Sequence, residues 1–177
     1  MKKLDLRQFK KTLEQKNKNQ LIQEISMLCQ KFPQVKEYYQ AQEGGEAEVL
    51  TKYKRIIQKE FVEDTSKEFP KLRFSVARKA INDFKKLSKS PELLADLKLT
   101  YVESVSEFNN EFGPDAEKFY LIPEEMFNEV LGELKANGLL EKFQSRAHSL
   151  VENATDGWGH FDTLCDYYTE YYGAFIR

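Results

Sequence analysis

The apolar residues of this chain recur every three to four positions almost from end to end, and nowhere do they alternate in the two-residue rhythm of a half-buried strand. No Asn-Gly or Asp-Gly pair sits between alternating hydrophobic runs, so the usual hairpin signal is missing as well. A chain patterned in this way is expected to be all-α. The spacing predicts helices carrying Leu6, Phe9 and Leu13, then Leu21, Ile22, Ile25 and Leu28, ended by Phe32-Pro33. A short helix with Val35, Tyr38 and Tyr39 runs into Gly44-Gly45, and the next presents Val49, Leu50, Tyr53, Ile56, Ile57 and Phe61 on one face.

Residues 62–73 lack a clear period and read as a connection. Ser75 is placed to cap a helix bearing Ala77, Ala80, Ile81, Phe84 and Leu87. Ser90-Pro91-Glu92 is the clearest start signal in the chain, joining a polar cap, a proline at the first helical position and an acidic residue in the first turn. That helix runs to Gly113-Pro114. Asp115 is placed to cap the following element, within which Pro123 either kinks the helix or starts a new one. Asn137-Gly138 stops it, and two more helices follow, separated by Asp156-Gly157-Trp158-Gly159.

The expected architecture is one domain over 1–177, a compact multi-helix bundle of about eight or nine helices. Phe-Pro and Gly-Pro stops recurring roughly every 40 residues suggest an alternative, a short α-solenoid of stacked helix pairs, but the residues around them do not align as repeats. With 41% apolar and 32% charged residues the chain falls among folded globular proteins. Charges interrupt MKKLDLRQFKK where a signal peptide needs an apolar run, and no later stretch is long enough to span a membrane. A cytoplasmic protein with no membrane partner is expected. Cys29 and Cys165 each fall on an apolar stripe and read as buried thiols without a disulfide.

Four segments, KFPQVKEYY at 31–39, LRFSVARKAINDFKKL at 72–87, SPELLADLKLTYVESVSEF at 90–108 and GWGHFDTLCDYYTEYY at 157–172, carry a family resemblance. In order and composition the chain resembles an uncharacterised family of bacterial proteins of about this length, known as a domain of unknown function. Pro123 departs from the helix the resemblance implies at that point. It implies a bacterial, helical protein, and it supplies no activity and no catalytic residues.

Two constellations are candidates for chemistry. Both histidines, His148 and His160, lie near Glu152, Asp156, Asp162 and Asp166, and His148, His160 and Asp162 are the candidate ligands of a divalent metal that would activate water for hydrolysis. Helix phase argues against it. If the last helix begins at or before His160, that residue and Asp162 point about 200° apart. Nor do the histidines fall in a His-Glu-x-x-His or paired Glu-x-x-His pattern. Arg73, Arg78 and Lys79, with Lys85 and Lys86, make a basic strip suited to phosphates, interrupted by Asp83 in a chain of pI about 5.9.

Trp158 lies between two glycines that permit a tight turn, and its indole is expected to close over the end of the core, the alternative being a stacking platform for a ligand. The tyrosines at 167, 168, 171 and 172 spread over more than one helical face, so Tyr167 and Tyr171 are candidates for an exposed partner surface. Charge is polarised. Residues 1–36 hold nine Lys/Arg against three Asp/Glu, and residues 113–177 hold five against twelve. Two oppositely charged faces that attract each other within the fold are the expected result. Phosphate-binding glycine loops, Cys-x-x-Cys pairs and Gly-x-Ser-x-Gly elbows are missing from the sequence. The reading that results is a non-catalytic helical protein, without a cofactor, that binds another protein. The alternatives are a metal-dependent hydrolase using the carboxyl-terminal His and Asp residues, and a nucleic-acid-associated protein using the basic central helix and the basic amino-terminal helices with Lys2, Lys3, Arg7, Lys10, Lys11, Lys16 and Lys18.

Overall fold

The computed structural model describes residues 4–62 and 69–177, and its regular structure among these is helical. In chain order the helices are α1 (Leu6–Glu14), α2 (Lys18–Lys31), α3 (Pro33–Gln40), α4 (Glu46–Phe61), α5 (Phe74–Leu87), α6 (Pro91–Phe112), α7 (Lys118–Ala136), α8 (Leu140–Glu152) and α9 (His160–Tyr172). A wide turn, Ala41–Gly45, separates α3 from α4, and Gly44 within it takes φ 94°. Residues 63–68, half of the aperiodic connection read over 62–73, lie outside the described residues.

The strongest sequence signal acts as its chemistry requires. The Ser90 hydroxyl accepts a hydrogen bond from the Leu93 amide at 3.3 Å, Pro91 fills the first helical position, and Gly113 closes α6 in the left-handed region at φ 50°. Two expected caps are corrected. Helix α5 starts at Phe74, after Arg73, so Ser75 already lies inside its first turn. Helix α7 starts at Lys118, after Glu117, and Asp115 belongs to the turn before it.

Pro123 neither begins a helix nor ends one, because α7 runs through it. A proline there removes the amide that would bond the carbonyl of Phe119, four residues earlier. That carbonyl is satisfied from another helix: the side chain of Asn109 on α6, 1% exposed, donates to it from Nδ2 at 2.8 Å. The departure from helix regularity and its repair are thus written on two different helices.

Helix α6 is the axis of the bundle. Six consecutive residues, Leu97 to Val102, are buried, which takes in every face of a helix with 3.6 residues per turn. Around it pack α4, α5 and α7, with α9 lying on α7 and α8. Enclosure on all sides makes this a compact bundle rather than a solenoid, whose helices each keep an open face. The interior is built from Ile57, Phe61, Phe84, Leu97, Leu99, Tyr101, Phe127, Leu131, Leu134 and Leu164, each almost wholly removed from water.

The amino-terminal helices are built otherwise. None of α1, α2 or α3 contains a buried residue. Helix α2 packs on α3 and α3 on α4, so the segment lies to one side of the bundle as an arm. Its first two helices start on well-formed caps: Asp5 caps α1 by accepting from the Arg7 amide at 2.9 Å, and Asn17 and Gln20 make a reciprocal capping box at the start of α2.

Candidate functional site

The interior of the bundle contains a chain of polar side chains that helix-by-helix reading does not bring together. His160, the first residue of α9, is 0% exposed. Its Nδ1 lies 2.7 Å from Glu124 Oε1 on α7, and its Nε2 lies 3.3 Å from Ser106 Oγ on α6. An ionised carboxylate can only accept, so Nδ1 carries a proton and donates to Glu124; in the neutral ring Nε2 then has a lone pair for the Ser106 hydroxyl, and in the imidazolium it donates to Ser106 Oγ instead. Tyr120 packs its ring edge-on against the imidazole at 5.7 Å. Three helices therefore meet at one histidine.

Ser106 has a second neighbour. It lines a cleft of about 280 Å³ between α6 and α8, together with Glu103, Glu107, Asn110, Arg146 and Asn153. Arg146 anchors that cleft. Its guanidinium donates to Glu103 from Nε at 2.6 Å and Nη2 at 2.7 Å, to Thr100 Oγ1 at 3.0 Å, and to Asp96. Lys54 on α4 reaches the same Asp96 at 2.6 Å. Burial by itself would raise the Asp96 carboxyl, but the hydrogen bonds from Lys54 and Arg146 prevail and hold it below the usual carboxylate range. On the far side of α6, Lys98 is buried and donates to Glu129 at 2.6 Å and to Glu133 at 2.7 Å. These pairs bolt α4, α7 and α8 to the central helix.

The residues singled out from the sequence are scattered over this frame. His148 turns its Nε2 to the Ile176 carbonyl at 2.8 Å and stacks on Phe175 at 4.5 Å, so it pins the carboxyl-terminal tail. Asp162 is exposed on the first turn of α9, while His160 is enclosed with both ring nitrogens engaged. Among the described residues no three His, Cys, Asp or Glu side chains gather into a set able to hold a metal ion. The structure thus does not unite His148, His160 and Asp162. Cys29 and Cys165 are free thiols, each half-buried.

The basic strip is largely answered by acids of its own. Arg73 makes a fork to Glu60, Nε at 2.9 Å and Nη2 at 2.7 Å, and Lys79 and Lys86 both bond Asp83. Those bonds hold the Glu60 and Asp83 carboxyls below their ordinary values. Arg78 stays exposed beside a groove shared with Lys85, Lys98, Glu125 and Glu129, a lining of mixed sign.

The aromatic candidates also differ from expectation. Trp158 does not close over the core: it is 58% exposed and stacks one face on Tyr120 at 5.9 Å, with the left-handed conformation at Trp158 itself (φ 58°) and at Gly159. Tyr167 and Tyr171 are half-buried rather than exposed. Tyr171 donates to Asn128 at 3.4 Å and Tyr172 to the Leu140 carbonyl at 3.0 Å, with burial pushing the Tyr172 phenol up to about 12. The tyrosines of α9 hold helices together. The surplus of apolar surface lies at the other end of the chain, where Leu6 is 72% exposed and Ile22 51%, with Phe9, Ile25, Met27 and Phe32 exposed beside them.

The ion pairs of the described residues do not run between the two oppositely charged ends. Among the described residues none joins the basic segment 1–36 to the acidic segment 113–177. No helix among them is long and apolar enough to cross a membrane.

Fold and site together define an all-α bundle protein with a basic, apolar arm and a buried Glu–His–Ser chain that ends at a cleft. The chain belongs to a family of unknown function, DUF6155, whose model matches residues 1–167. No curated protein and no solved structure matches it.

Proposed function

We propose that this protein acts by binding another protein through its amino-terminal arm, α1 to α3. The observation that carries the reading is the contrast between arm and bundle: the arm buries none of its residues, yet it presents Leu6, Phe9, Ile22, Ile25 and Phe32 to solvent. Exposed apolar side chains at i, i+3 spacing on capped helices are the form in which a helix lies in a partner's groove. Leu6 and Phe9 with the half-buried Leu13 make such a row on α1, and Ile22 and Ile25 continue it on α2. Arg7, Lys10, Lys11 and Lys18 border the row. The partner is thus a protein with an apolar groove and an acidic rim, which the charges would also steer into register.

The test is photocrosslinking in the native host from a reactive amino acid placed at position 9 or 25 of the full chain, compared with the same chain carrying Leu6→Asp and Ile22→Asp. The reading expects one discrete crosslinked protein, lost in the double variant while the melting temperature holds. A product made of two copies of this chain would reassign the face to self-association. Absence of any protein crosslink would refute the proposal.

A further inference from the structure

Of the three serine and threonine side chains buried along α6, two are spent on their own helix: Thr100 donates to the Asp96 carbonyl at 2.9 Å and Ser104 to the Thr100 carbonyl at 2.7 Å. That is the ordinary fate of a hydroxyl inside a helix. Ser106 departs from it, and the bond its hydroxyl makes is to His160 Nε2. When the imidazole is neutral, Glu124 on the opposite nitrogen selects the matching tautomer, and Ser106 alone of the three residues lines the cleft. A serine at a cleft wall, a base bonded to its hydroxyl and a carboxylate behind the base are the three roles of a nucleophilic triad, which is recognised by geometry rather than by sequence order.

We propose that Ser106, His160 and Glu124 form a nucleophile, a general base and its positioning carboxylate, and that the α6–α8 cleft takes a small carboxylic ester. In the first step Ser106 Oγ bonds to the ester carbonyl carbon as its proton passes to His160 Nε2. The carbon–oxygen bond to the alcohol then breaks, and the departing alkoxide takes that proton. Water attacks the acyl-serine in the second step, again giving its proton to His160. Cleavage of the acyl–Oγ bond returns the proton to Ser106 and releases the acid. The sum is ester plus water to acid plus alcohol, with no other reactant.

The surroundings set the substrate class and the pace. A cleft of about 280 Å³ admits a small molecule. Its walls carry Glu103 and Glu107 against Arg146, whose guanidinium is already bound to Glu103 and Asp96, so the field favours a neutral or cationic ester over an anionic one. Backbone amides in the middle of α6 are committed to the helix. The developing oxyanion must therefore be met by cleft side chains, of which Asn110 keeps one amide hydrogen beyond its bond to the Asn153 carbonyl. Slow turnover follows, and covalent capture is the sharper readout.

The full chain is treated with an alkyl fluorophosphonate from pH 5.5 to 9, and separately with p-nitrophenyl acetate to look for a burst. Peptide mapping is expected to place one adduct on Ser106, at a rate that rises with pH across that range, and Ser106→Ala abolishes both adduct and burst. His160→Gln slows labelling at least about 100-fold. Glu124→Gln, which keeps an acceptor for Nδ1 but removes the charge, displaces the pH profile of labelling, an effect that a purely structural carboxylate would not produce. The melting temperature shows which variants are folded, and Ser106→Ala and Glu124→Gln decide the matter if His160→Gln is not. A folded protein with no adduct on Ser106 anywhere in that range, or labelling that persists in Ser106→Ala, overturns the proposal.

Discussion

Asn109 is predicted to be worth its place because Pro123 exists, and a double-mutant cycle can separate that statement from ordinary core packing. In the native protein the Phe119 carbonyl lacks its helical donor, and the Asn109 side chain supplies one at 2.8 Å. Asn109→Leu keeps the side chain's bulk and strands that carbonyl. An unmade hydrogen bond at a buried acceptor costs roughly 1–3 kcal/mol. Some of this is returned, because Asn109 Oδ1 is itself buried without a partner and leaves with the substitution. The net cost should be about 1–2 kcal/mol, or a fall in Tm of roughly 2–8 °C for a domain of this size. Pro123→Ala restores an amide four residues beyond Phe119, so in that background the carbonyl is served from within α7. There Asn109→Leu should cost less than about 0.5 kcal/mol, the level at which independent sites are additive. Urea unfolding followed by circular dichroism gives all four corners of the cycle. Equal costs of Asn109→Leu in both backgrounds would refute the argument, and Asn109 would then be a packing residue whose hydrogen bond is incidental.

Three further outcomes follow from the buried charges and the arm. Glu129→Gln should change stability by under about 1 kcal/mol because Glu133 still pairs Lys98, whereas replacing both glutamates strands a buried ammonium and should cost about 3–5 kcal/mol by the same unfolding assay. Glu60 and Asp96 both titrate below their ordinary values in the folded chain, Glu60 chiefly through its Arg73 hydrogen bond and Asp96 through Lys54 and Arg146 against the cost of burial. Their contribution is therefore complete above the unfolded values near 4 and is lost as pH falls through the lower folded ones. Melting curves from pH 6 to 2.5 should show that loss, and Glu60→Gln with Asp96→Asn should make the acid limb shallower. Removing residues 1–31 should move Tm by less than about 2 °C, since α1 and α2 bury nothing; a large fall would show that the arm is part of the core.

The boundaries legible in the sequence were those set by backbone chemistry within a few residues: Ser90-Pro91 and Gly113 at the two ends of α6, Phe32-Pro33, and Gly138 after α7. What escaped was whatever depends on a neighbour far along the chain. Ser75 and Asp115 have the right chemistry for caps, but the helices they were to start begin elsewhere, α5 one residue before Ser75 and α7 three residues after Asp115. His160 was correctly set apart from Asp162 by helix phase. Phase, however, orients a side chain without naming what it meets, and its partners stand 36 and 54 residues away on α7 and α6.

One signal could have narrowed that search. Helix α6 is apolar nearly all round, with Leu97, Leu99, Tyr101, Val102, Val105 and Phe108 interspersed with small hydroxyl residues, and such a helix belongs in the centre of its fold. Once α6 is placed centrally, Lys98, Ser106 and Asn109 become buried polar groups that require partners, and each then poses a question. Lys98 is answered by Glu129 and Glu133, and Asn109 by the carbonyl that Pro123 leaves open. Ser106 differs in kind: a hydroxyl at this position could have bonded the carbonyl one turn back, as Ser104 does, so its histidine is not needed to satisfy it. A polar contact that stability alone does not demand is the place where function is best sought, and this reason puts the Ser106 labelling experiment ahead of the stability measurements.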